Sequence, residues 1–208
     1  MLSHPKGVRM EKAIVIYKSK YGATEQYARW IAEELGCAAV SMDEVKKNDL
    51  KDYDTIIYGG GVQAGGIKEL DKFLKWFKVD LKIWEMYRNG KLDHDDLVKS
   101  GVQRRKIIVF ACGINLDDEA AREQLLEINF PKAYQKNIPC FYMPGEYHPE
   151  KLDRIEKFIM NTAEKFLRGK KEVDVTDNDR KVLEYMEHGC NLIDKSRIEP
   201  LLEAAREE

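Results

Sequence analysis

Two hydroxyls, a lysine and a glycine stand within six residues at Ser19-Lys20-Tyr21-Gly22-Ala23-Thr24. The stretch follows an apolar, β-branched run, Ala13-Ile14-Val15-Ile16-Tyr17, which reads as a parallel strand covered on both faces. It precedes a helical pattern in which Tyr27, Ala28, Ile31, Ala32 and Leu35 recur every three or four residues, closed by Gly36. A strand handing over to a helix leaves free N–H groups and the positive end of a helix dipole at the joint. Phosphate suits such a joint, because serine, threonine and backbone amides donate to it without burying a cation. Lys20 adds attraction or simply faces solvent. The plainer account of the loop is a strand-to-helix turn capped by Thr24.

Three further loops carry residues fit for ligand contact. Gly59-Gly60-Gly61-Val62-Gln63-Ala64-Gly65-Gly66 is costly in chain entropy unless backbone must approach something closely; otherwise it is a flexible strand end. Cys112-Gly113-Ile114-Asn115-Leu116-Asp117 offers backbone amides near Gly113 and Asn115, while Asn115 or Asp117 serves equally well as a helix cap. Cys112 reads as a small buried hydrophobe, since no histidine is placed to activate it. Pro144-Gly145-Glu146-Tyr147-His148-Pro149 brings Tyr147 and His148 to the same edge, and a helix beginning at Pro149 accounts for His148. No catalytic residue stands out. The run Asp93-His94-Asp95-Asp96 reads as a solvated helix start and not as a metal site, because adjacent residues on a helix diverge.

The elements that must position these loops alternate along the chain. Strand-like runs lie at Ala13–Tyr17, Cys37–Met42, Thr55–Gly59, Ile107–Cys112 and Ile138–Met143; helical patterns lie at Thr24–Leu35, Ile67–Phe77, Asp117–Ile128 and Pro149–Leu167. Alternation of this kind predicts an α/β fold, a doubly wound five-stranded parallel sheet with helices on both faces and ligand loops at the carboxyl ends of the strands. Residues 12–168 make that domain. An insert at 79–103 is expected to hold a short extra helix, an Asn89-Gly90 turn and a helical piece around Asp95–Lys99. Its aromatics Trp76, Phe77, Trp84 and Tyr87 read as a packed edge or a contact surface. Residues 170–208 form a C-terminal helical extension of two helices, one capped by Thr176, the other by a box at Ser196-Arg197-Ile198-Glu199 with Ile198, Leu201, Leu202 and Ala205 as its stripe. Helices this short should pack on the domain or on a second copy, so a homodimer is possible.

Composition narrows the function. The chain has 208 residues, 43% hydrophobic and 35% charged, with a net charge of −2. That balance reads as globular, and the short cluster Arg104-Arg105-Lys106 is too little for a nucleic-acid face. No apolar run approaches a membrane span and no secretory signal is visible; Met1–Arg9 reads as a loose leader, with Met10 as an alternative start. Cys37, Cys112, Cys140 and Cys190 are scattered without paired spacing, which argues against zinc or disulfides and for a cytoplasmic protein.

In their order, these loops resemble the flavodoxin family, and in particular flavodoxin-domain proteins related to menaquinone-dependent protoporphyrinogen oxidase. In flavodoxins the first loop reads Ser/Thr-x-Thr-Gly-x-Thr and wraps the phosphate of flavin mononucleotide (FMN); Ser19, Gly22 and Thr24 match, and Tyr21 replaces the middle threonine. The resemblance implies an FMN site made by Ser19, Lys20, Tyr21, Gly22, Ala23 and Thr24 at the phosphate. Gly60, Gly61, Val62, Gln63, Ala64 and Gly65 would flank one side of the ring, and Cys112, Gly113, Asn115 and Tyr147 the other. Relatives commonly place an aromatic residue where Gln63 stands, so Gln63 would present an amide to the ring edge or to a substrate.

The resulting expectation is an FMN-binding flavodoxin-like protein for electron transfer or a small flavin-dependent redox reaction, working with a redox partner protein or a small-molecule electron donor or acceptor. Two alternatives differ in class. One is a protoporphyrinogen oxidase-type enzyme, although the loop after the last strand lacks the basic, aromatic-rich character of those relatives. The other is a flavin-free binding module on the same fold. Phosphoacceptor signalling is disfavoured, since Tyr17-Lys18 and Tyr58-Gly59 stand where acidic residues would be needed.

Overall fold

The computed structural model describes residues 12–207 apart from Arg104 and Lys136. The leader Met1–Arg9, Met10 and Arg104 therefore lie outside the described residues. Strand β1 (Ala13–Lys18) leads into α1 (Ala23–Leu35), followed by β2 (Ala38–Ser41) and β3 (Thr55–Gln63). A short β4 (Gly66–Ile67) turns into α2 (Leu70–Arg88) and α3 (His94–Ser100). Then come β5 (Lys106–Gly113), α4 (Glu119–Asn129), the single turn α5 (Lys132–Gln135) and β6 (Cys140–Pro144). The chain ends with β7 (Glu146–Tyr147), α6 (Arg154–Arg168), α7 (Asp177–His188), β8 (Cys190–Asn191) and α8 (Glu199–Arg206).

Five parallel strands run in the order β2-β1-β3-β5-β6, with the switch point at β1/β3. Strand residues alternate between the two faces as the pleat requires. Ile14, Ile16, Ile56, Tyr58, Ile107 and Val109 meet Leu70, Phe73, Leu74 and Phe77 of α2 and Leu125 of α4. Val15, Ile57, Ile108 and Phe110 meet Tyr27, Ile31 and Leu35 of α1 and Leu201, Leu202 and Ala205 of α8. Each fully buried aliphatic side chain contributes about 1.5–3 kcal/mol, so both layers are needed. Tyr27 stitches the second layer together: its hydroxyl donates to Pro144 O at 2.8 Å and accepts from Asp194 N at 2.8 Å.

Several expectations need correction. Strand β3 runs four residues past Gly59 and pairs with β4 in a hairpin, Val62 opposite Ile67 and Gln63 opposite Gly66. Its tip, Ala64 and Gly65, has φ of 49° and 77°, the left-handed pair a two-residue turn demands. The extra helix of the insert does not exist separately: α2 continues to Arg88, because no breaker interrupts its apolar spacing before Asn89-Gly90. Leu70 replaces Ile67 at its start, since Ile67 belongs to β4. Trp84 Nε1 donates to Gln103 O at 3.1 Å, and Trp84 meets Tyr87 edge-on at 5.7 Å, so these aromatics pack at an edge. Asp117 caps nothing; Asp118 caps α4 by accepting from Ala121 N at 2.8 Å. The Ser196 box is absent as well. Asp194 Oδ1 accepts from Ser196 N and Oγ ahead of the 3-10 turn Lys195–Ile198, and α8 begins at Glu199. Thr176 caps α7 as the sequence suggests, accepting from Asp179 N at 3.0 Å.

The two C-terminal segments exchange the roles their order suggests. α6 follows the last sheet strand yet exposes Ile155, Phe158 and Phe166 by 72%, 73% and 71%, and its single buried residue is Glu156. α8 covers the sheet instead. The 148–189 excursion leaves through β7 and returns beside it through β8, Glu146 opposite Asn191 and Tyr147 opposite Cys190. Leu202→Ala should cost about 2–5 kcal/mol in urea unfolding, as core truncations do. Phe166→Ala should change stability by no more than about 0.5 kcal/mol, as surface substitutions do. Equal effects would show that α8 lies outside the cooperative core.

Candidate functional site

The carboxyl ends of β1, β3, β5 and β6 open into one cleft of about 910 Å3, its mouth included. Ser19, Lys20, Tyr21, Ala23 and Thr24 line it from the first loop, and Gly61, Val62, Gln63 and Ala64 from the β3–β4 hairpin. Cys112 and Gly113 line it from the end of β5, and Tyr147 from β7. Gly22, Gly60, Gly65 and Asn115, singled out with them in the sequence, do not reach its wall. Gly22 forms the turn ahead of α1 at φ 119°. A Cβ on Gly60 would sit 2.5 Å from Ile67 Cγ2, and one on Gly59 2.0 Å from Phe110 Cζ, so these two glycines serve packing. Gly65 is the hairpin tip, its carbonyl accepting from Asn129 Nδ2 at 2.7 Å. His148 also stands off the wall, its Nε2 2.9 Å from Glu146 Oε2.

The first loop is held by specific contacts. Ser19 Oγ accepts from Gly22 N at 3.1 Å and holds the turn. Gly22, the residue ahead of α1, provides no side-chain cap, and the first intrahelical bond is Gln26 N to Gly22 O. The opening amides of α1 thus lack a helical acceptor. Thr24 does not cap the helix; it is buried at 4% exposure and lines the cleft. A Cβ on Gly61 would lie 3.5 Å from Thr24 Oγ1, so glycine keeps this part of the cleft open. Behind the third loop, Asn115 Oδ1 is buried without a hydrogen-bond partner among the described residues.

The cleft is charged at its rim and apolar over its roof. Lys18 pairs with Asp43 at 2.5 Å and Glu69 at 3.0 Å, which raises its pKa. Lys20 pairs with Asp153 at 2.7 Å and Glu156 at 2.7 Å, and those bonds likewise raise its pKa. Glu156 also accepts from the Tyr21 hydroxyl and from Gln63 Nε2 at 3.1 Å. Burial works to raise the Glu156 pKa, but the bonds from Lys20 and Tyr21 outweigh it and hold the carboxyl below its usual value. Burial pushes the Cys112 thiol up to about 12. Lys18, Ile114, Gly145 and Glu146 join the wall from the loops already singled out, whereas Lys68, Leu152, Glu156, Ile159 and Met160 lie outside them and were missed by the sequence. One signal was available: Leu152, Glu156, Ile159 and Met160 lie at helical spacing, with an acid inside an otherwise apolar stripe.

The acidic run at 93–96 is a helix start whose Asp93 accepts from Asp96 N at 2.8 Å. Among the described residues no metal-binding group of three His, Cys, Asp or Glu converges, and no helix is long and apolar enough to cross a membrane.

A family model of the flavodoxin domain matches residues 14–87, which contain the first loop and the hairpin. The fold is flavodoxin-like. No protein of curated function matches the chain. Among solved structures, a flavodoxin from the domain Archaea is 15% identical over 84% of this chain and 96% of its own, with a TM-score of 0.36. Flavodoxin 2 from Bacillus cereus is 20% identical over 74% and 99%, at 0.38. The rubredoxin:oxygen oxidoreductase of Desulfovibrio gigas is 16% identical over 96% of this chain and 38% of its own, at 0.39. Scores this low add nothing to the strand order, on which the flavodoxin-like description rests together with the family model.

A protonated, enclosed thiol is a poor nucleophile. Native protein at pH 8 should therefore leave Cys112 unmodified by iodoacetamide, while urea-unfolded protein is alkylated there. Labelling of Cys112 in the folded state, read by mass spectrometry, would restore it as a reactive group.

Proposed function

We propose that the cleft binds FMN and that the protein uses it for electron transfer or a small redox reaction with a partner protein or small molecule. The observation that carries this reading is the uncapped N-terminus of α1 opening into a largely apolar cleft at the switch point of a flavodoxin-like sheet. The donor set fits a phosphate monoester: the free amides at the start of α1, with the hydroxyls of Ser19 and Thr24 beside them. Gly61 leaves room for a flat ring beside Thr24, and Val62, Ile114, Ile159 and Met160 supply apolar walls that exclude water. FMN, when bound, supplies one- and two-electron chemistry; the chain's part is to orient the ring and set its electrostatic surroundings.

Gln63 has a defined task in this reading. One N–H of its amide is engaged with Glu156 and links the hairpin to α6, which leaves the carbonyl oxygen and the second N–H for a ring edge or a substrate. The tetrapyrrole alternative gains little support from the cleft, because two of its three lysines, Lys18 and Lys20, are each committed to two carboxylates.

Purified protein mixed with FMN and freed of excess should retain a visible flavin band shifted from that of free FMN. The double variant Ser19→Ala, Thr24→Val should weaken binding by about tenfold or more, since each hydrogen bond to a charged group contributes about 1.5–3 kcal/mol. Folded protein that retains no flavin would favour a flavin-free binding module. Unchanged affinity in the double variant would remove both hydroxyls from the site.

A further inference from the structure

A helix of fifteen residues normally docks through apolar side chains, yet the single buried residue of α6 is a glutamate, 6% exposed. Its carboxylate collects bonds from three elements. Lys20 Nζ and the Tyr21 hydroxyl come from the first loop, Gln63 Nε2 from the hairpin, and Asp153 N from the start of α6 itself. Asp153 adds a second carboxylate on Lys20. Leu152, Ile159 and Met160, on the same side of the segment, roof the cleft. Tyr147, Leu152 and Met160 also line a second space on the far side, between α6 and Met186 of α7, so this roof is not backed by solid packing.

The excursion carrying α6 is attached by a narrow neck. It leaves and returns through the paired β7 and β8, with Leu192 N donating to Gly145 O at 2.9 Å. Gly189, at φ 75°, lies so close that a Cβ would come within 2.9 Å of Tyr147 O. A neck of paired β7 and β8, with Lys20 gripping Asp153 and Glu156 at the start of α6, describes a lid with a latch.

The latch uses groups a phosphate would want. Lys20 and Tyr21 are the side-chain cation and hydroxyl of the phosphate-type loop, and both are taken by an anion belonging to the protein. Glu146 stands on the same side, its Oε1 3.7 Å from where a Cβ on Gly22 would be. A ligand phosphate entering beside Lys20 and Tyr21 meets the carboxylates of Glu156 and Glu146, and like charges so close repel.

We propose that Glu156 is a selectivity-determining residue: it holds α6 over the cleft through Lys20 and Tyr21, and a phosphate-bearing ligand binds by displacing it from those donors and loosening the lid. The inference rests on the flavin reading of the cleft and deepens it. A flavin without a phosphate leaves the latch closed. The phosphate of FMN competes with it, so the site discriminates less in favour of FMN than its loop alone would.

The test is a comparison of FMN and riboflavin binding to the full chain and to its Glu156→Gln variant, followed by flavin fluorescence. E156Q should bind FMN about tenfold or more tighter, the size expected when one of two close like charges is neutralised. Its riboflavin affinity should move by less than about threefold, within the reach of a lost neutral hydrogen bond. An equal change for both ligands, or weaker FMN binding, would overturn the proposal. Wild-type protein that binds neither flavin would bring down the cofactor reading itself, and this inference with it. If the variant does not fold, hydrogen exchange on the wild type decides. Saturating inorganic phosphate should speed exchange of the amides of residues 154–166 relative to chloride at matched ionic strength, and unchanged exchange there would sink the latch.

Discussion

A parallel sheet buried on both faces must be covered on both, and the rest of this molecule is arranged around that demand. One face is closed by α2 and α4 through Phe73, Phe77 and Leu125. The other is closed by α1 and, from the far end of the chain, by α8 through Leu201, Leu202 and Ala205. Because α8 fills the last position on the sheet, the helix that directly follows β6 is free of that duty. The 148–189 excursion is thereby available at the carboxyl edge, where the ligand loops lie. Tyr27 marks the junction, since one hydroxyl joins α1 to β6 and to the start of the α8 segment.

The glycines of β3 show how packing and site share one strand. Gly59 gives way to the Phe110 ring and Gly60 to Ile67 of the hairpin, both for packing. Gly61, one residue on, is where the strand reaches the cleft opposite Thr24. A triplet that reads as a single ligand loop is therefore two core positions and one wall position. The hairpin that follows is clamped to α4, where Asn129 accepts from Ile67 N at 2.7 Å and donates to Gly65 O.

Charge at the cleft is internally balanced. Lys18 and Lys20 each carry two carboxylates, so attraction of an anion falls to Lys68 and to the amides at the start of α1. Partly buried pairs of this kind contribute less to stability than to fixing which groups stand where. Here they fix the roof over the floor.

What the sequence determined by itself is the local and periodic part. The apolar runs and the three-to-four spacing gave the alternation of strands and helices, Gly36 and Thr176 marked real helix ends, and the loop at 19–24 was placed at a strand–helix joint. These signals act within a few residues, where backbone sterics and capping bonds decide. The tertiary structure alone decided that α8 and not α6 covers the sheet, since both read as amphipathic helices and only packing tells them apart. It also decided that Glu156 closes on Tyr21, 135 residues away, and on Gln63, 93 residues away. No local pattern encodes such a meeting, because it depends on where the neck of β7 and β8 aims the helix after the sheet has formed.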